Sequence, residues 1–263
     1  MPEVFSLIEE AAMYRNALKL QSRRFLSRDS PVPDENLPLR VFRMNECWAR
    51  WCPIPNSVQA SYESLLSMLQ RWNVAFEPVW QILRYADYTI RVPAVQLLLD
   101  NRYMFLEMTM TVETVDETAF DDHVELFSDI TTFAEYVIER SETAKREFVL
   151  QHQTILPLWM TACKCRHSNL RRKAISLLVD HPRREAAFDS LLFGRIAEWI
   201  ADLEDAHSDE GTIPGWARIG GMEVARDESG YEMTWTCLQR ISAEPYEVAL
   251  RTKIVDERYE LSE

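Results

Sequence analysis

From Ile155 to Asp205 apolar residues recur every three to four positions, the spacing that lays one stripe along an α-helix. Leu158, Trp159, Ala162 and Cys163 mark one short helix, and Pro157 sits in its first turn, where a missing N–H is tolerated. Ser168 is the expected N-cap of a second helix that carries Leu170, Ala174, Leu177 and Leu178 inward and leaves Arg171, Arg172 and Lys173 in water. His181-Pro182 ends it. From Glu185 onward, Phe188, Leu191, Leu192, Ile196, Trp199, Ile200 and Leu203 predict a third and longer helix. Such short connections make consecutive helices antiparallel neighbours, so the pattern predicts stacked helical hairpins.

The same periodicity runs through the earlier chain. Ser6 and Glu9 form a capping-box pattern for a helix reaching about Arg28, followed by a Pro-rich link from Asp29 to Pro38. A helix over Leu39–Trp51 and another from Ser57 to about Phe76 come next, with Pro78 breaking or restarting the latter. Ala86–Val92 reads as extended. Val95–Val112 reads as a core helix, and an acidic stretch, Glu113–Asp122, leads into a helix ending near Arg140. After Asp205 the period changes to two: Met222, Val224, Met233, Trp235 and Cys237 alternate around Asp227-Glu228-Ser229-Gly230, which predicts a β-hairpin. Tyr246–Tyr259 is left open between strand and helix. The expectation is a mainly all-α protein with a helical domain over 1–205 and a C-terminal extension over 206–263 packed on it.

Several of these segments resemble a known family. Ile155-Leu156-Pro157-Leu158-Trp159, Cys163-Lys164-Cys165-Arg166, Leu170 to Ile175, His181 to Glu185 and Phe188-Asp189-Ser190 look like the C-terminal part of the regulatory domain of fungal zinc-cluster transcription factors. Phe5 to Ala11, Trp72 to Glu77 and Asp121 to Val137 resemble earlier segments of that domain. The likeness spans roughly the first four-fifths of the chain. After Arg183-Arg184-Glu185 the family pattern usually has Gly-Leu-Trp, where this chain has Ala186-Ala187-Phe188. The resemblance implies a helical regulatory module.

Cysteine spacing and charge change that picture. A zinc cluster needs six closely spaced thiolates, whereas the chain has five cysteines and no Cys-x-x-Cys pair. The net charge of -13 opposes binding to a phosphate backbone, so no direct nucleic-acid binding is expected. Only 6 glycines in 263 residues argue against phosphate loops and Rossmann turns. Scattered cysteines suit a reducing compartment, cytoplasmic or, for a regulator, nuclear. Asp100, Arg102 and Glu107 interrupt the longest apolar run, so no membrane span is expected.

Candidate chemistry concentrates on the Val95–Val112 helix. Gln96, Asp100, Tyr103, Glu107 and Thr111 fall on one narrow polar stripe of an otherwise apolar cylinder, which must face water, a partner or a cavity. Taken as a cavity wall, Asp100, Tyr103, Glu107 and His152 would orient or polarise a substrate. Trp51, Trp80, Met104, Met108 and Trp159 would shape the space around it. No nucleophile, metal or cofactor motif occurs, and Asp121-Asp122-His123 suits a helix N-terminus without any metal. Cys163 and Cys165 are expected in the core and on the surface respectively. These features favour a stand-alone protein holding an apolar metabolite, with cofactor-independent cyclisation or isomerisation of terpenoid or polyketide intermediates as the chemistry such a cavity permits. The alternative is a non-DNA-binding regulator or ligand sensor; the resemblance covers only the C-terminal part of the family's regulatory domain, and the face that the other half would cover would suit a homodimer.

Overall fold

In the computed structural model the described residues are 1–27, 56–112, 117–141, 154–186, 188–209, 211–219, 222–226, 232–242 and 247–256. Seven α-helices lie among them: α1 Ile8–Ser27, α2 Asn56–Leu83, α3 Tyr88–Val112, α4 Val124–Ser141, α5 Ile155–Lys164, α6 Ser168–Val179 and α7 Ser190–Asp205. A 3-10 helix, Glu117–His123, precedes α4. Strands β1 Arg184–Glu185 and β2 Phe188–Asp189 form a small hairpin, and β3 Met222–Arg226, β4 Glu232–Ser242 and β5 Glu247–Asp256 form an antiparallel sheet in that order. The fold is mainly helical with a small C-terminal sheet. No described helix is long and apolar enough to cross a membrane.

The elements follow from local chemistry. Ser6 N–H donates to Glu10 at 2.9 Å ahead of α1, so the capping partner is Glu10 and not the expected Glu9. α2 runs on through Pro78 to Leu83 without breaking. Pro78 and Val74, four residues earlier, are both exposed, so the carbonyl deprived of its donor turns to water. The expected extension over Ala86–Val92 is likewise corrected. Asp87 Oδ1 accepts from both the N–H and the hydroxyl of Thr89 at 2.9 Å, which starts α3 at Tyr88. These hydrogen bonds hold the Asp87 carboxyl below the usual range. The Leu39–Trp51 helix lies outside the described residues.

Two apolar clusters share the interior. α1, α2 and α3 enclose Phe5, Leu69, Trp72, Phe76, Met104 and Met108, where Trp72 stacks on Phe76 at 4.8 Å and donates Nε1–H to Ala11 O at 2.9 Å. The larger cluster centres on α5, all ten residues of which are buried. α4, α6 and α7 surround it, and the inner face of the sheet closes it with Met222, Val224, Met233, Trp235, Cys237 and Val255. The expected hairpin is present, with Met222 opposite Cys237, and the open Tyr246–Tyr259 segment supplies β5 as a third strand.

Three expectations around α5–α7 change. α7 begins at Ser190 and not near Glu185, because Asp189 caps it by accepting from Leu191 and Leu192 N–H. The preceding residues turn back as β1–β2 with Ala186 at φ 52°. Glu185, freed from the helix, accepts from Thr154 and Ile155 N–H, both at 2.9 Å, and so satisfies the N-terminus of α5. Cys165 is buried and not at the surface, since α5 stops at Lys164 and the helical argument no longer applies. Ser168 is the first residue of α6, whose N-cap is His167 with no side-chain hydrogen bond.

Candidate functional site

The expected stripe on α3 is divided between packing and pairing. Asp100 is 8 % exposed and forms an ion pair with the equally buried Arg15 of α1, while Gln96 Nε2 donates to its Oδ1 at 3.3 Å. Tyr103 OH donates to Glu107 Oε1 at 3.2 Å, both side chains half-buried. Met104 and Met108 fill the α1–α3 core, and Trp80 packs at its edge against Phe133. Trp159 belongs to the other core, edge-on to Phe193 at 5.1 Å. The structure thus brings Asp100 to Arg15 and Tyr103 to Glu107, but not Trp159 to the α3 methionines. Trp51 and His152 lie outside the described residues, as does the side chain of Thr111.

A different place gathers charge and space. Where α5 ends, Lys164 and Arg166 turn inward towards α7, the 3-10 helix and the loop before β3. Glu204, fully buried on α7, accepts from Arg166 Nη2 at 2.7 Å, pairs with Arg171 Nη2 at 2.8 Å and accepts from Ile219 N–H at 2.6 Å. Lys164 Nζ donates to Glu117 at 2.6 Å, and Glu117 lies 3.3 Å from Arg166. Arg218 grips Asp121 with two parallel bonds of 2.9 and 2.7 Å and also donates to Glu117 O and Ile213 O. Arg171, expected in water, is therefore a core residue: it donates Nε–H to Ala162 O at 2.9 Å and ties α6 to α5 and α7.

The electrostatics are mutually compensating. Burial pushes the Glu204 carboxyl up, but the charges of Arg166 and Arg171 and the Ile219 N–H outweigh it, leaving the group below its ordinary range. Burial likewise works against the Arg166 cation, and Glu204 and Glu117 more than restore it. Four cations, Lys164, Arg166, Arg171 and Arg218, meet three carboxylates, Glu117, Asp121 and Glu204. Arg166 Nε is buried and has no hydrogen-bond partner among the described residues.

A cleft of about 210 Å³ opens beside this network. Phe120, Phe127, Val124 and Ile213 give it an apolar wall, and Arg166, His167, Arg218 and Asp121 a polar one. Among the described residues no group of three or more His, Cys, Asp or Glu is placed to hold a metal ion, and Asp121 is committed to Arg218. Lys164 and Arg166 lie in the Cys163-Lys164-Cys165-Arg166 segment that carries the family resemblance, but no motif marks them, or Glu117, Glu204 and Arg218, as site residues. The available signal was periodicity, which puts Glu204 on the Ile196–Ile200 face of α7 and Arg171 on the Ala174–Leu178 face of α6. Neither a protein-family model, nor a characterised protein, nor a solved structure matches the chain.

Proposed function

We propose that the chain is a ligand-binding regulatory module that makes no direct contact with DNA, holding a small, largely apolar metabolite in the cleft between the 3-10 helix, the α5–α6 turn and the loop before β3. The observation that carries this reading is an aromatic wall set beside a buried chain of ion pairs. A group touching Arg166 is linked through Glu204 to Arg171 on α6 and to the Ile219 backbone ahead of β3. Occupancy of the cleft can therefore bias the packing of α5, α6, α7 and the sheet together, which a sensor requires. We read α5, α6 and α7 as the stacked antiparallel hairpins that hold the turn in place. The resemblance to zinc-cluster regulators and the net charge of -13 fit a module acting through ligand or partner. Cofactor-independent cyclisation is the weaker reading, because about 210 Å³ falls below the roughly 300–1,000 Å³ of sites for larger ligands.

Ligand-observed NMR with a set of small aromatic and aliphatic probes on the full chain tests the proposal. Probes that compete for one site, and lose binding when the half-exposed wall residue Val124 is replaced in Val124→Trp, support it. Binding untouched by Val124→Trp, or no binding at all, removes the cleft as the site.

The sheet supports a second reading, in which the chain pairs with another copy of itself. Leu238 and Leu250 stand opposite each other on its outer face, with Val248 and Ile254 beside them, all four exposed, and β5 is an edge strand of the sheet among the described residues. Antiparallel pairing of two β5 edges about Leu250 sets Glu247 against Lys253 of the second copy at both ends. Light scattering should then give a dimer that Leu250→Lys converts to monomer; a wild-type monomer at high concentration excludes it.

A further inference from the structure

We infer that the ligand of the cleft is a small organic carboxylate, its anionic head against Arg166 and its apolar body on Val124 and the edges of Phe120 and Ile213. This rests on the reading of the cleft as a ligand site. Three observations converge on it. Arg166 lines the cleft and is 95 % buried at its side chain, since only 5 % is exposed, yet its Nε–H donates to nothing among the described residues. Its other nitrogens are engaged: Nη1 donates to Lys164 O at 2.7 Å and Nη2 to Glu204 at 2.7 Å. A buried donor of this kind calls for an acceptor.

The second observation is charge. The ion-paired group holds four cations and three carboxylates, an excess of one positive charge among the paired residues. A neutral ligand could accept the Nε–H bond but would leave that charge unanswered; a carboxylate does both. Asp121, the acidic side chain in the cleft wall, has both oxygens held by Arg218, which offsets its charge towards an incoming anion. Exposed His167 stands at the rim as a further polar contact.

The third is shape. An inorganic anion would leave Val124 and the exposed edges of Phe120 and Ile213 unused, whereas a phenyl ring or short alkyl chain covers them within about 210 Å³. Benzoate and its neutral isostere benzamide separate these contributions, because they share the ring and differ in charge.

Both probes are titrated into the full chain, with heteronuclear NMR on the Val124 and Ile213 methyl groups locating the site and calorimetry giving affinity. Benzoate is expected to move both methyl resonances and to bind about tenfold or more tighter than benzamide. Arg166→Lys keeps the charge and deletes the Nε donor, and should weaken benzoate about tenfold while benzamide changes little. If that variant does not fold, the wild-type comparison decides alone. Equal affinity for the two probes overturns the carboxylate assignment and leaves the cleft as a ligand site. Benzoate that moves neither methyl also overturns it, and the Val124→Trp screen then judges the cleft separately.

Discussion

Glu204 and Arg166 meet at 2.7 Å with the carboxylate fully buried and the guanidinium nearly so. Removing one partner of such a pair leaves the other charged and unhydrated, a penalty of about 3–5 kcal/mol. Arg171, on the second carboxylate oxygen, adds a second cation to those exposed by the change. Glu204→Gln, which keeps the shape, should therefore lower unfolding free energy in urea by about that amount. The surface pair Lys173–Glu135, with side chains 43 % and 35 % exposed, gives the contrast. Lys173→Ala should cost no more than about 1 kcal/mol. Similar losses for both variants would show that the buried network does not hold the core.

The same carboxylate sets an acid limit. Burial raises its folded pKa, but the arginine charges and the Ile219 N–H outweigh that and hold it below the ordinary carboxyl range. Protons therefore bind the unfolded chain first: the contribution of Glu204 is complete above its unfolded pKa, roughly 4.3, and is lost as pH falls through the lower folded value. Urea midpoints measured from neutral pH downward should decline below about pH 4.3 more steeply for the wild type than for Glu204→Gln. Parallel curves would assign the acid transition to other carboxylates.

Burial silences three thiols. It pushes Cys163 and Cys237 up to about 12 against the pull of neighbouring cations, and it raises Cys165 as well. The thiolate is the reactive form, so at pH 8 these groups are both neutral and shielded. Mass spectrometry after brief alkylation should find Cys163, Cys165 and Cys237 unmodified in the native protein and fully modified in urea. Labelling of Cys165 in the native state at the rate of a free thiol would place it outside the core.

Apolar periodicity marks the faces of α4 to α7 but not the charge network, for one physical reason. A stripe of Leu, Ile and Ala shows which face is buried, and α4 to α7 follow it, but a polar residue on that face is conventionally assigned to water. Arg171 sits at the i position of the Arg171, Ala174, Leu178 face, and Glu204 follows Ile196 and Ile200 on theirs. Both were on the core side by spacing; their pairing across 33 residues cannot be read from either helix alone. The end of α5 at Lys164 was hidden for a related reason. It depends on Arg166 and the extended Cys165 turning into the network, which is a tertiary effect. Asp100, conversely, is legible as a polar residue on an apolar helix, but its partner Arg15 lies 85 residues earlier, and no local pattern joins them.

Gly194 tests how tightly α6 and α7 are packed. In the interior of α7 a change to Ala should by propensity alone stabilise the helix by about 1 kcal/mol. Yet a Cβ on Gly194 would lie 2.6 Å from Val179 Cγ2, 3.1 Å from Leu178 Cβ and 3.4 Å from Val179 N. Val179 is β-branched and cannot easily rotate away, and Leu178 is fully buried, so the helices must separate. Overpacking of this kind costs about 1–3 kcal/mol, which exceeds the propensity gain. Gly194→Ala should accordingly lower the thermal midpoint, whereas Val179→Ala in the same chain makes room for the methyl group and should recover much of the loss. A double-mutant cycle reads this directly: a favourable coupling between the two positions is the expected result, and strict additivity would mean that the helices part without strain.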